Sequence, residues 1–173
     1  MTITRLRSMQ ETLALAWWQL YEQSFPASER RGKRQHAAAL QDERFHCLHL
    51  SDAAGFAGIL SYWLWDGLCY VEHLAILPER RGQGLGHRAL ELVPAPVILE
   101  IEPVVDAATA RRLTFYESCG FTRLPQPHTQ LAYQAGQPDI PLQLLSRPAL
   151  DAAAVQHFEQ LYLSAPMRYR DGA

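Results

Sequence analysis

The stretch from Val71 to Glu102 constrains the fold most. An extended run closes at Pro78, and a basic, glycine-rich segment follows, Arg80-Arg-Gly-Gln-Gly-Leu-Gly86. Leu85, Ala89, Leu92 and Val93 then recur at helical spacing until Pro94. Val97 to Glu102 is a second extended run, dense in branched apolar residues. Strand, helix and strand in that order form a crossover, and a crossover sets its two strands parallel. Upstream the pattern differs. Phe45 to Leu50, Phe56 to Trp65 and Cys69 to Leu77 are strand candidates, joined by the turn signals Asp52-Ala-Ala-Gly55 and Asp66-Gly67. The expected sheet is antiparallel at its start, with one parallel pair inside it.

The remaining elements flank that sheet. Ile3 to Leu6 reads as a short strand, and Thr12 to Phe25 carries Leu13, Trp17, Leu20 and Tyr21 on one helical face. After Pro26 comes a densely charged stretch, Ser28-Glu-Arg-Arg-Gly-Lys-Arg34, and a short helix candidate over 35–41. Asp106 is placed to cap a helix carrying Ala110, Leu113 and Tyr116, with Gly120 at its end. Strands are expected at 121–124, near 131–134 and at 142–145, and Asp151 starts a last amphipathic helix. The 173 residues suit one domain of α/β (mixed α+β) class, with 1–146 as its core and 147–173 as a helical extension packed on it.

Composition narrows the function classes. Lys+Arg 16 against Asp+Glu 18 gives a net charge of -2, which excludes general nucleic-acid or membrane-surface binding. Cys47, Cys69 and Cys119 are scattered and odd in number, which excludes a disulfide scaffold, and Cys47/His49 reads as structural. No signal peptide is legible at the N-terminus, and no run approaches the ~18 apolar residues that span a bilayer. The expectation is a soluble, cytoplasmic protein with no metal.

Glycines at 82, 84 and 86 between a strand and a helix let backbone N–H groups approach an anion closely. Arg80 and Arg81 would add charge to the same site, so phosphate or pyrophosphate is the expected ligand. A P-loop is excluded because no Gly-Lys-Ser/Thr occurs. A dinucleotide fold has Gly82, Gly84 and a suitably spaced acid at Glu102 in its favour. Against it stand His87 at the third glycine position and the antiparallel meander before the loop.

Arg81-Gly-Gln-Gly-Leu-Gly86 resembles the Arg/Gln-x-x-Gly-x-Gly/Ala signature of the GNAT acetyltransferase superfamily. Val71-Glu-His-Leu-Ala-Ile-Leu-Pro-Glu-Arg80 is similar to that family's fourth strand, and Phe115-Tyr-Glu-Ser-Cys-Gly-Phe121 to the end of its late helix. The resemblance covers residues 3 to 146 and implies a GNAT-like fold, mostly antiparallel, whose parallel strands splay to admit acetyl-CoA as cosubstrate. It implies main-chain contacts from Leu74, Ala75 and Ile76 to pantetheine, and a pyrophosphate cradle of Arg81, Gly82, Gln83, Gly84, Leu85 and Gly86. The family's cofactor-contacting asparagine is missing from the late helix, and Thr109 or Arg112 stands in its place.

The resemblance further implies direct attack by an amine of a small molecule or peptide, with Tyr116 protonating the leaving thiolate. An alkylammonium must lose a proton first, and Glu72 is the expected base, on one strand face with residues 74 and 76 by simple alternation. By the same rule His73 faces the other way. Glu100 and Glu102 would line the amine pocket or serve as base instead. Arg30 and Arg31 would line the acceptor site and disfavour a polycation. Cys119 is expected to be inert. The extra C-terminal helix and an apolar strand edge would suit a homodimer. A non-catalytic acyl-CoA-binding domain and a dinucleotide-dependent oxidoreductase are the alternative readings.

Overall fold

The computed structural model describes residues 1–172. Seven strands, β1 (Thr2–Leu6), β2 (Phe45–Asp52), β3 (Gly55–Trp65), β4 (Leu68–Ile76), β5 (Val97–Ile101), β6 (Thr122–Gln130) and β7 (Ile140–Arg147), form one sheet. Its order is β1-β2-β3-β4-β5-β7-β6. Among the described residues there are also five α-helices, α1 (Ala14–Ser24), α2 (Lys33–Ala39), α3 (Leu85–Glu91), α4 (Ala107–Ser118) and α5 (Ala152–Ser164), and three short 3-10 turns. The β4–β5 pair is parallel and every other pairing antiparallel, as the crossover through α3 requires.

Alternating side chains build a core on each face of this sheet. On one face Trp17, Trp18 and Tyr21 of α1, Ala39 of α2 and Val155, Phe158 and Tyr162 of α5 meet Phe45, Ile59, Trp63 and Tyr70. On the other, Ala89 and Leu90 of α3 and Tyr116 of α4 meet Leu60, Val71 and Leu99. The late helix is capped as its sequence indicated: the Asp106 carboxylate accepts from the Thr109 N–H at 2.8 Å, and Gly120 turns the chain with φ +83°. No helix among the described residues is long and apolar enough to cross a membrane.

One stretch departs from expectation. Instead of two short strands at 121–124 and 131–134, a single strand runs from Thr122 to Gln130. It contains Pro125 and Pro127, which lack N–H donors, and its register to β7 breaks between Arg123 and Pro127. An edge position tolerates both features, because its outer side has no ladder to break.

The feature that matters for function is a divergence. β4 and β5 pair only from Cys69↔Val97 to Val71↔Leu99, although β4 continues to Ile76 and β5 to Ile101. Beyond Val71 the two strands separate and leave a gap in the middle of the sheet.

Candidate active site

That gap opens into a cleft of about 1000 Å³ lined by β4, β5, the glycine loop, α4 and the segment after α1. The Leu77 N–H donates to the Ala57 carbonyl on the β3 side. By alternation the main-chain groups of Leu74 and Ile76 point the other way, into the gap. Leu74, Ala75 and Ile76 all line the cleft.

At its far end the chain turns through Pro78–Arg80 into the glycine loop. Gly82 and Gly84 adopt φ +75° and +70°, the left-handed region where a Cβ costs energy. Gly86 is needed for another reason: a Cβ there would lie 2.9 Å from the Phe115 ring, so α3 and α4 approach closely at this point. The first bond internal to α3 runs from the Arg88 N–H to the Gly84 carbonyl. The N–H groups of Leu85, Gly86 and His87 therefore have no intrahelical acceptor and face outward at the loop. Arg81, Gly82, Gly84, Leu85 and Gly86 line the cleft, whereas Gln83 does not. Arg80 also lines the cleft, with its guanidinium 2.6 Å from the Asp52 carboxylate, and Arg81 Nε donates to the Ile76 carbonyl at 3.1 Å.

Tyr116 projects from α4 into the cleft and is 9% exposed. Burial raises its hydroxyl to about 12, so the phenol stays protonated at neutral pH. Arg112 and Arg111 of the same helix line the cleft, with Arg112 ion-paired to Glu102. Thr109 is not in the cleft. Its hydroxyl accepts from the Asp106 N–H at 3.0 Å and closes the capping box, which leaves it no role toward a cofactor.

The structure corrects the reading of Glu72. The register steps from Ser61↔His73 to Tyr62↔Val71, so Glu72 is the extra residue of a β-bulge. A bulge resets side-chain alternation. Glu72 and His73 consequently point to the same side, toward α1, and away from Leu74 and Ile76, which pack with Tyr116. Both Glu72 oxygens are occupied: Arg31 binds them at 2.7 and 2.8 Å, and the Tyr133 hydroxyl donates at 2.7 Å. With the side chains 0% and 1% exposed, Arg31 holds the Glu72 carboxyl well below the usual carboxylate range against the cost of burial. A carboxylate so stabilised is a poor base. Arg31 itself lies among the rings of Tyr133, Phe45 and Trp63 and also donates to the Pro166 carbonyl.

The basic loop is corrected with it. Arg31 is spent on Glu72, and Arg30 donates to the Phe25 carbonyl and pairs with Glu22 at 3.6 Å. Neither lines the cleft, so they do not disfavour a polycationic acceptor. Glu29, in the 3-10 turn Ala27–Glu29, does line it. Sequence reasoning passed over Glu29 as one member of a charged run. Its signal was present, since it is the lone acid among four cations there.

Glu100 and Glu102 both line the cleft, as expected. Glu100 receives the Tyr70 hydroxyl at 2.8 Å and His128 Nε2 at 2.5 Å, and His128 Nδ1 lies 2.7 Å from Glu159 of α5. Two carboxylates raise His128 to about 9 despite burial, so it is protonated. Cys119 lies off the cleft with its thiol raised by burial, and Cys47 packs in the core.

Residues 41–123 match the family model of the acetyltransferase (GNAT) domain. The YjbC protein of Bacillus subtilis, named for an acetyltransferase activity, is 33% identical over 106 residues. That match spans 58% of this chain and about half the relative's length, 54%. A solved structure from Bacteroides thetaiotaomicron, assigned to the GNAT family, is 27% identical and superimposes with a TM-score of 0.83 over 94% of this chain and 96% of that one. An aminoglycoside 6'-N-acetyltransferase complexed with coenzyme A is 13% identical, with a TM-score of 0.61 over 87% of this chain and 100% of that one. This last likeness is one of fold.

Proposed function

The chain belongs to the GNAT acetyltransferase superfamily, and from that premise we propose that it is an acetyl-CoA-dependent N-acetyltransferase acting on a primary amine of a small molecule or peptide. One observation carries the reading. The gap between β4 and β5 joins the glycine loop to the Tyr116 hydroxyl in a single cleft.

The residues present suit acetyl-CoA. The outward N–H groups at the start of α3, with the left-handed backbone of Gly82 and Gly84, would receive its pyrophosphate. The main-chain edge at Leu74 and Ile76, where only the Ile76 carbonyl is engaged, by Arg81, would pair with pantetheine, whose amides need partners of that kind. When bound, acetyl-CoA supplies a thioester that an amine can attack without a covalent enzyme intermediate. A main-chain N–H at Leu74 would polarise the acetyl carbonyl as charge grows on its oxygen, a contribution of roughly 3–4 kcal/mol per donor in comparable sites. Tyr116, kept protonated by burial, would return a proton to the departing thiolate. The proposal favours an enzyme over a bare binding domain because Tyr116 adds proton chemistry that binding alone does not need.

Thermal unfolding with acetyl-CoA, free CoA and NADH tests the cofactor. At one hundred times Kd a single site adds about 2.7 kcal/mol, a Tm rise of roughly 5–10 °C for a domain of this size. A rise with both CoA species and none with NADH is the expected result. No rise with either CoA species overturns the proposal.

A further inference from the structure

Four carboxylates stand at or beside the acceptor end of the cleft: Glu29, Glu72, Glu100 and Glu102. Three have a cation built in against them. Glu72 has Arg31, Glu100 has His128 and Glu102 has Arg112. Glu29 is the one left without an ion pair among the described residues.

Its placement is fixed by other parts of the fold. The segment between α1 and α2 has main-chain carbonyls held one after another by side chains. Arg30 Nε donates to Phe25 O at 3.0 Å, Gln130 Nε2 to Ser28 O at 3.2 Å, and Gln134 Nε2 to Arg30 O at 3.0 Å. His73 Nε2 lies 2.9 Å from Glu29 O itself, so the ring bears its proton there. The Arg31 N–H donates to the Tyr21 hydroxyl at 3.0 Å, and the Arg31 side chain locks onto Glu72. A loop bound at this many points presents its side chains in one arrangement, which is what a reacting group requires.

Resting on the acetyltransferase reading, we infer that Glu29 receives the acceptor as a primary alkylammonium ion and takes its proton, and that the Arg31–Glu72 pair is the clamp that positions Glu29. An N–H bond of the ammonium breaks, an O–H bond forms on the Glu29 carboxylate, and the freed nitrogen lone pair attacks the thioester carbonyl carbon as the C–S bond breaks. Glu29 passes this first proton to water. The second nitrogen proton, lost as the amide forms, restores Tyr116 after it has protonated the thiolate. One proton is released per turnover, as conversion of an ammonium and a thioester to an amide and a thiol demands.

The surroundings suit the task. The titratable and charged groups that act on Glu29 are His73 from β4, Glu100 from β5 and Arg112 from α4. Burial outweighs the opposing influence of His73 and Arg112 and raises the Glu29 carboxyl above its ordinary value, toward the pH at which a base works best.

The test uses the full chain, acetyl-CoA and a panel of primary mono- and diamines of three to eight carbons, with free thiol as the readout. Glu29→Gln removes the base without altering any ion pair, so it should fold and keep the acetyl-CoA-induced Tm rise. Its kcat/KM at pH 7 should fall about 100-fold or more, and the deficit should shrink as pH rises and the free amine becomes available. Glu29→Asp should fall between. A Glu29→Gln protein within threefold of wild type, with an unchanged pH profile, overturns the role of Glu29 and leaves the acetyltransferase reading standing. Wild-type protein that binds acetyl-CoA but acetylates no amine of the panel overturns the alkylammonium assignment. Wild-type protein without a Tm rise on acetyl-CoA overturns the acetyltransferase reading, and Glu29's role with it.

Discussion

Arg31 and Glu72 show how much a single buried pair can control. Each is expensive to bury alone, and together they satisfy one another through two hydrogen bonds, with Tyr133 and Pro166 adding one more each and Arg31 Nε left without a partner. Removing one charge strands the other. Arg31→Met and Glu72→Gln should each cost about 3–5 kcal/mol in urea unfolding, while the double variant should cost well under their sum. Additive losses would mean that the two side chains do not share their energy. The sign of the pH dependence also follows. Glu72 is held below its unfolded value, so its contribution is complete above about pH 4–5 and is lost as the solution is acidified below that. The same pair explains why single-residue reasoning misassigned Glu72. Residue type and strand position suggested a base, and only the partner, distant in sequence, shows that the carboxylate is committed.

At the scale of elements, legibility followed locality. The glycine loop, the capped helix carrying Tyr116 and the crossover are each encoded within one short segment, and their residues met in the cleft. The face of Glu72 was not encoded that way, because the bulge is defined by the register of β4 on β3. The inward aim of Glu29 depends on Gln130, Gln134 and His73, none of them near it in sequence. The loop also makes a prediction of its own. Gly84 sits at φ +70° with open space where a Cβ would go, so Gly84→Ala pays for backbone conformation alone, about 1–2 kcal/mol. Asn tolerates this region better, and Gly84→Asn should lose less. Both variants should narrow the acetyl-CoA-induced Tm rise if the altered backbone turns its N–H groups from the pyrophosphate. Equal Tm for Ala and Gly at this position would contradict the left-handed turn.

Across the whole molecule, one charged relay joins the cleft to the helix furthest along the chain. Glu100 belongs to β5 and the cleft, His128 to the edge strand β6, and Glu159 to α5. The imidazolium reaches across the position of β7 to join them and also packs against Phe158 and Tyr162 of α5. Hydrophobic contacts alone would hold α5 independently of pH. The relay adds a titratable component with a definite sign. The folded His128 is raised to about 9, above its unfolded value near 6.5, so its contribution is complete below about pH 6.5 and disappears as pH climbs through 9. The amount at stake is on the order of 3 kcal/mol. Unfolding free energies measured by urea at pH 6 and pH 9.5 should therefore fall by roughly that amount in wild type and much less in His128→Gln. If both proteins lose the same stability over that interval, the imidazolium does not hold α5, and the packing of Phe158 and Tyr162 suffices. A selective loss in wild type would instead mean that deprotonating one buried ring loosens α5 and takes a hydrogen bond from a cleft carboxylate in the same event. The alkaline limit of activity and the alkaline limit of stability would then share a group.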